Sequence, residues 1–234
     1  SKFVGWQYQK NGISIQGTIE KALKKLFKKK IKIIGAGRTD KGVHAFSQFA
    51  NFIMVKPIEN KNQFLNSINY FLQHNLISIV DVKKKITKFH SRFDAKERTY
   101  EYRIINRQGL LSIDKNKAWL IKKKMNISLL KKGAKFLEGT HDFSTFRAAS
   151  CSAKSPIKKI NSIKIKKIGD TIFIKFSSKS FLQNQVRSMV GCLQHLAINK
   201  WSIKKFRKAF ASKQRKECAP PAPACGLFLF NIKY

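Results

Sequence analysis

Ile163-Lys164-Ile165-Lys166-Lys167-Ile168-Gly169-Asp170-Thr171-Ile172-Phe173-Ile174-Lys175-Phe176 alternates apolar and polar residues on both sides of a Gly-Asp pair. A period of two puts Ile163 and Ile165 on one face of a strand, and Ile172, Ile174 and Phe176 on one face of the next. Two turn residues, the first of them glycine, suffice to reverse the chain between the strands. The stretch reads as a β-hairpin, which makes the local sheet antiparallel.

Outward from the hairpin the apolar period changes to that of helices. Val186, Met189, Val190, Leu193 and Ala197 form one stripe, and a basic helix is expected from Ser202 to Ser212. Upstream, Leu129, Leu130, Gly133, Phe136 and Leu137 form another, opened by Asn126 as a cap and closed by Gly139. Two more stripes are Ile19, Ala22, Leu23, Leu26, Phe27 and Phe64, Leu65, Ile68, Phe71, Leu72. Strand-like segments lie between them. Lys32 to Ile34 reads as a short strand, Val43 to Val55 as a longer one, and Tyr100, Tyr102 and Ile104 share one face of a third. A final strand, Leu227 to Ile232, follows the Pro-rich loop Cys218 to Cys225. Helices interleaved with hairpins predict an α+β fold on mainly antiparallel sheet. The division is expected within residues 106 to 125, giving an N-terminal half 1–106 and a C-terminal half 107–234.

The chain of 234 residues carries 49 Lys and Arg against 12 Asp and Glu, a formal charge of +37. Hydrophobic residues at 43%, with 19 Phe, exclude a disordered polymer. So much positive charge self-repels unless a polyanion neutralises it, so nucleic acid is the leading partner; drift toward Lys, Ile, Asn and Phe accounts for part of the excess. Lysine runs at Lys24-Lys25, Lys28 to Lys30, Lys83 to Lys85, Lys122 to Lys124, Lys158-Lys159 and Lys166-Lys167 are either solvated faces or a phosphate-tracking groove. Cys151, Cys192, Cys218 and Cys225 form no C-x-x-C pair and the five histidines are scattered, so reduced thiols are expected rather than a disulfide framework or a metal site. Neither an apolar run of membrane-spanning length nor a signal-peptide layout is present in the sequence, and the expectation is a soluble, cytoplasmic protein.

Gly37-Arg38-Thr39-Asp40-Lys41-Gly42-Val43-His44-Ala45 places a scarce carboxylate on a Gly-rich turn between two strand-like segments. Asp40 is then either a turn residue serving its own backbone or a catalytic group on a rigid mount. Arg38 can pair with it and keep it ionised. A second arginine, Arg187, shares the helical phase of the buried-type positions Val186 and Val190, and needs an anionic partner. Asp40, Glu138 and Asp142 are the candidates, or the side chain snorkels to water.

The motif Gly37 to Ala45 resembles the active-site motif of the tRNA pseudouridine synthase A (TruA) family. Five further segments resemble that family in order: Gly5-Trp6-Gln7 with Ser14 to Glu20; Arg92 to Ala95 with Arg98-Thr99-Tyr100-Glu101-Tyr102; His141 to Arg147; Phe181-Leu182 through Val186-Arg187; and Ala222 to Leu227. The resemblance implies two ferredoxin-like (RRM-like) halves whose sheets join around a central cleft. It implies a cofactor-free isomerisation, in which a tRNA uridine is detached from its ribose at nitrogen and reattached at carbon. By position, Asp40 is the essential carboxylate and Tyr100 the pocket tyrosine that stacks on the uracil and assists proton transfer. Arg187 pairs with the aspartate, Arg38 holds the RNA or extrudes the base, and Leu227 is an apolar pocket wall. It further implies a homodimer, a tRNA bridging two subunits, and targets at tRNA positions 38 to 40.

Three features depart from the pattern. Lys41 stands where the family usually has a small residue; most of the family's first strand and its Asp-Gly turn are not found ahead of Gly5, so that either the sequence is trimmed or an edge of the first sheet is missing; and Cys225 occupies a position often taken by a polar residue. Two other functions suit the composition: a non-catalytic basic RNA-binding protein, and a synthase of the same family with another RNA target site.

Overall fold

The computed structural model describes residues 2–54 and 57–234. Along the chain run α1 (Ile15–Phe27), β1 (Ile34–Gly35), β2 (His44–Ala45), β3 (Ala50–Asn51), α2 (Lys61–Leu72), β4 (Glu97–Ile105) and β5 (Trp119–Leu120). Then follow α3 (Ile127–Lys135), β6 (Gly139–Asp142), β7 (Ile157–Ile168), β8 (Thr171–Ser178), α4 (Gln185–Ala197), α5 (Ile203–Ala211) and β9 (Leu227–Lys233). The fold is mixed α+β on mainly antiparallel sheet. No helix among the described residues is long and apolar enough to cross a membrane.

The hairpin forms where the alternation places it. β7 pairs with β8 from Ile160↔Ser178 to Ile168↔Thr171, and Gly169 takes the left-handed φ of 54° at the first turn position. Ile163, Ile172, Ile174 and Phe176 are buried. Around this pair the sheet extends in the order β2-β9-β4-β8-β7-β6, with β5 added to β4. β2–β9 and β4–β5 are parallel and the other pairs antiparallel.

The helices follow their stripes. Ile19, Ala22 and Leu23 of α1 and Phe64, Ile68 and Leu72 of α2 meet Trp6 and Ile33 in one apolar cluster. Asn126 caps α3 by accepting from the Leu129 amide at 3.0 Å, and Ser202 caps α5 by accepting from Lys205 at 3.2 Å. α4 is buried nearly all round, because α3 packs on one side and the loop Ala219–Ala222 on another. At Gly133 an added Cβ would lie 2.5 Å from a Leu196 methyl, and at Gly191 only 2.1 Å from the Pro220 carbonyl oxygen. Gly191→Ala is accordingly expected to lower stability by about 3 kcal/mol, read as a shifted denaturation midpoint at unchanged m.

Three local expectations are corrected. Ile33 is held by α1, its amide donating to Glu20 Oε1 at 3.0 Å, so the first short strand starts at Ile34 rather than Lys32. The stretch Val43 to Val55 is not one strand. β2 pairs with β9 while β3 pairs with β1, and different partners require a bend between them; Val55, its expected end, lies outside the described residues. Gly139 does not close α3, which ends at Lys135; with φ 100° it begins β6 instead.

The chain divides into two compact units, residues 1–42 with 48–95 and residues 43–47 with 96–234. β4 belongs to the second unit because both its long ladders, to β8 and β9, lie there. The first unit holds α1, α2 and the β1–β3 pair, and the second holds the seven-stranded sheet with α3, α4 and α5.

Candidate active site

In the first unit the Asp40 loop is pinned from both sides. The Ala36 amide donates to the Phe49 carbonyl at 2.8 Å, and Gln48 Nε2 donates to the Gly37 carbonyl at 2.8 Å. Opposite, the Trp6 amide donates to Thr39 O at 3.0 Å, and Gly5 and Asp40 face each other as a single antiparallel bridge. Gly5 has φ 128°, and a Cβ there would stand 2.8 Å from Thr39 O. Only glycine permits both that dihedral and that approach. Thr39 is buried, Asp40 half-buried, and Arg38 and Lys41 exposed. The backbone of the motif is thus fixed. Gly5→Ala is expected to destabilise the chain by about 2 kcal/mol, measured by thermal unfolding. Its strain falls on the Trp6–Thr39 hydrogen bond.

Three residues beyond Asp40 the chain enters the second unit. β2 runs parallel to β9, with His44 opposite Phe228 and Ala45 opposite Leu229. His44 and Phe46 stack on Phe228, with ring centroids 4.7 and 5.2 Å away. The Arg103 guanidinium covers the Phe228 ring at 4.2 Å and the Phe46 ring at 5.0 Å. Arg103 also donates to Glu101 at 2.8 Å, and Lys175 lies 3.3 Å from the same carboxylate. Glu101 is only 3% exposed, so the two cations supply the pairing that a buried charge requires.

On the other face of β4, Tyr100 is 9% exposed and meets Phe181 edge-on, ring centroids 5.3 Å apart. The β4–β9 register shifts between Thr99 and Tyr100, a bulge that sets the direction of the tyrosine. Its neighbour on that face, Tyr102, donates its hydroxyl to the Pro223 carbonyl at 2.7 Å. Burial pushes the Tyr102 phenol far above its ordinary pKa; Cys225 adds to the rise and the Arg187 charge opposes it. Leu227 opens β9 opposite Tyr102 and is buried.

Arg187 is half-buried on α4. Its Nε donates to Ala222 O at 2.8 Å and its Nη1 to Asn184 Oδ1 at 3.2 Å, while Ala222 N donates back to Arg187 O at 3.0 Å. Both structural acids considered for it are engaged elsewhere. Glu138 accepts from Lys135 and from the Ile163 amide, each at 2.8 Å, and Asp142 accepts from the Ser144 amide at 2.8 Å. Those bonds hold both carboxyls below their ordinary pKa, the Lys135 contact leading for Glu138 and the Ser144 contact for Asp142.

Within the second unit the fold therefore gathers Tyr100, Arg187 and Leu227 around Tyr102 and the loop Ala222–Gly226. Arg38 and Asp40 belong to the first unit. Spacing did not single out Gln48, Asn184, Phe181 or Ala222, which position these groups. Each acts through a tertiary contact or a backbone carbonyl; Phe181, Asn184 and Ala222 lie inside the segments that resemble the family, but nothing in those segments marks them as positioning residues. Among the described residues no cluster of His, Cys, Asp or Glu could hold a metal ion. Most lysine runs lie on exposed positions, and 12 acids cannot neutralise 49 cations.

Comparison with known proteins agrees with these motifs. The family described as tRNA pseudouridine synthase matches residues 134–234. The tRNA pseudouridine synthase A of Pelagibacter ubique is 53% identical over 234 residues, covering 100% of this chain and 95% of that protein. Those of Parvibaculum lavamentivorans and Maricaulis maris are 40% and 38% identical, covering 100% and 99% of this chain and 95% and 93% of theirs. Identity at this level over the whole chain shows that it belongs to the tRNA pseudouridine synthase A family, isomerases that act on tRNA.

Proposed function

We propose that the chain converts uridine to pseudouridine at positions 38 to 40 of the tRNA anticodon arm, with Asp40 as the essential carboxylate. The observation that carries this reading is the Asp40 loop itself. One of only 12 acids in a chain of charge +37 stands half-exposed on a backbone clasped by hydrogen bonds from both sides. Such mounting suits a group that must meet a substrate in one orientation.

The reaction exchanges a C1′–N1 bond for a C1′–C5 bond within one nucleotide and moves one proton. No electrons are gained or lost, so it asks for no redox cofactor. The uridine must leave its stack to be reached. Arg38 holds the RNA or extrudes the base, Tyr100 stacks on the uracil and assists proton transfer, and Leu227 walls the pocket. Arg187 pairs with Asp40 and keeps it ionised. The bonds to Ala222 O and Asn184 Oδ1, which fix the direction of its guanidinium on α4, support this role.

The N-terminal part carries the aspartate loop and the C-terminal part completes the site, each as a ferredoxin-like half whose sheet joins the other around a cleft. For the second half the strand order supports this. β4, β7, β8 and β9, with α3 after the first and α4 after the third, lie side by side as β9-β4-β8-β7. The family further supports a cytoplasmic homodimer with tRNA bridging two subunits.

Pseudouridine mapping of tRNA incubated with the purified chain tests the reading. Pseudouridine at positions 38 to 40 is expected. Modification elsewhere would reassign the target, and binding without modification would reduce the chain to an RNA-binding protein.

A further inference from the structure

Two cysteines far apart in sequence meet in the second unit. Cys192 sits in α4 and Cys218 follows the single turn Arg215–Glu217; their sulfurs are 3.5 Å apart. They are unequal. Cys192 is 1% exposed, and its sulfur accepts from the Ala219 amide at 3.3 Å. Cys218 is half-buried, and its thiol donates weakly to Ser188 O at 3.9 Å. Beside them Arg215 reaches Ser188 Oγ at 2.9 Å and brings a positive charge to the pair.

We propose that Cys192 and Cys218 form a reversible dithiol–disulfide site that takes small disulfides of the glutathione type, and that its closure weakens the hold on Arg187. Contact with Cys192 and the Arg215 charge hold the Cys218 thiol below its ordinary value, whereas the same contact and burial push Cys192 up. Cys218 is therefore the first to ionise and also the one that a reagent can reach. Its thiolate attacks one sulfur of the small disulfide, forming a mixed disulfide and releasing one thiolate. That thiolate takes the Cys192 proton. Cys192 sulfur then attacks Cys218 sulfur and expels the second small thiolate, which takes a proton from water's pool. Two protein thiols are oxidised and one small disulfide becomes two thiols.

An S–S bond is about 2.05 Å long, so the sulfurs must close from their present separation. α4 is fixed by its buried faces, and the segment that must move is Cys218–Ala222. This segment is the strap that receives Arg187: Ala222 binds its Nε and its backbone, and Pro220 O lies against Gly191. Displacing it moves the anchor of the guanidinium. The effect on activity rests on the role of Arg187 proposed above; the disulfide itself does not.

The test incubates the full chain at millimolar glutathione disulfide, then maps peptides without reduction and assays tRNA modification. A Cys192–Cys218 cross-link two hydrogens lighter than the dithiol is expected, with activity down on the order of tenfold and restored by dithiothreitol. Cys218→Ser, at the half-exposed position, is expected to keep its activity with or without the oxidant, while Cys151→Ser responds like the parent. Mixed disulfides alone, another pairing, or full activity in the cross-linked chain would overturn the proposal. A reduced parent chain that forms no pseudouridine overturns the proposed function instead, and the peptide map still decides the pair.

Discussion

Asp40→Asn is expected to abolish pseudouridine formation, by on the order of a thousandfold or more, while tRNA binding stays within a small factor of the parent. Asparagine keeps the size of the side chain and the backbone bonds of Thr39 and Gly37, so the loop clasped by Trp6 and Gln48 keeps its shape. What changes is one negative charge in a strongly cationic chain. Removing it cannot weaken attraction to phosphates, so a loss of turnover without loss of affinity isolates the chemistry of the carboxylate. Single-turnover assays with a filter-binding control read the two quantities separately. Retained turnover would remove Asp40 from the mechanism.

Binding of tRNA is expected to fall about a thousandfold or more as salt rises from about 50 to 200 mM, the loss that six to ten phosphate contacts produce by counterion release. The physical basis is the imbalance of 49 cations against 12 acids, most of the lysines standing in water. The ion pairs they make, such as Lys135–Glu138 and Lys205–Glu217, use up few of them and are themselves weak at the surface. Titrations at four salt concentrations give the slope. A flat dependence would mean that affinity comes from stacking and direct contacts rather than from the charged surface.

Much of the fold was legible because it is written in local periods. The Gly169-Asp170 hairpin, the stripes of α1 to α4, the cap at Asn126 and the strand from Leu227 all follow from the repeat of 2 or 3.6 and from turn chemistry. The stretch Val43 to Val55 shows the limit. Its composition suits a strand throughout, yet β2 and β3 take partners from different units, and no local preference encodes which partner is available. The early end of α3 is similar: the left-handed Gly139 serves the entry to β6, a choice made by pairing with β7.

The site divides along the same line. Asp40, Arg38, Tyr100, Arg187 and Leu227, the residues proposed for the site, come from motifs that resemble the family, and Arg187 from its helical phase as well. The sequence by itself determined the antiparallel α+β character, the cationic surface and the family, because alternation, charge and residue spacing are properties of neighbours along the chain. Tertiary structure alone decided that Gly5 would clasp Thr39, that Ala222 and Asn184 would hold Arg187 while Glu138 and Asp142 bind elsewhere, and that Cys192 would meet Cys218. Those pairings join residues brought together only when the core closes, and local preferences of a fraction of a kcal/mol per residue cannot select among such partners.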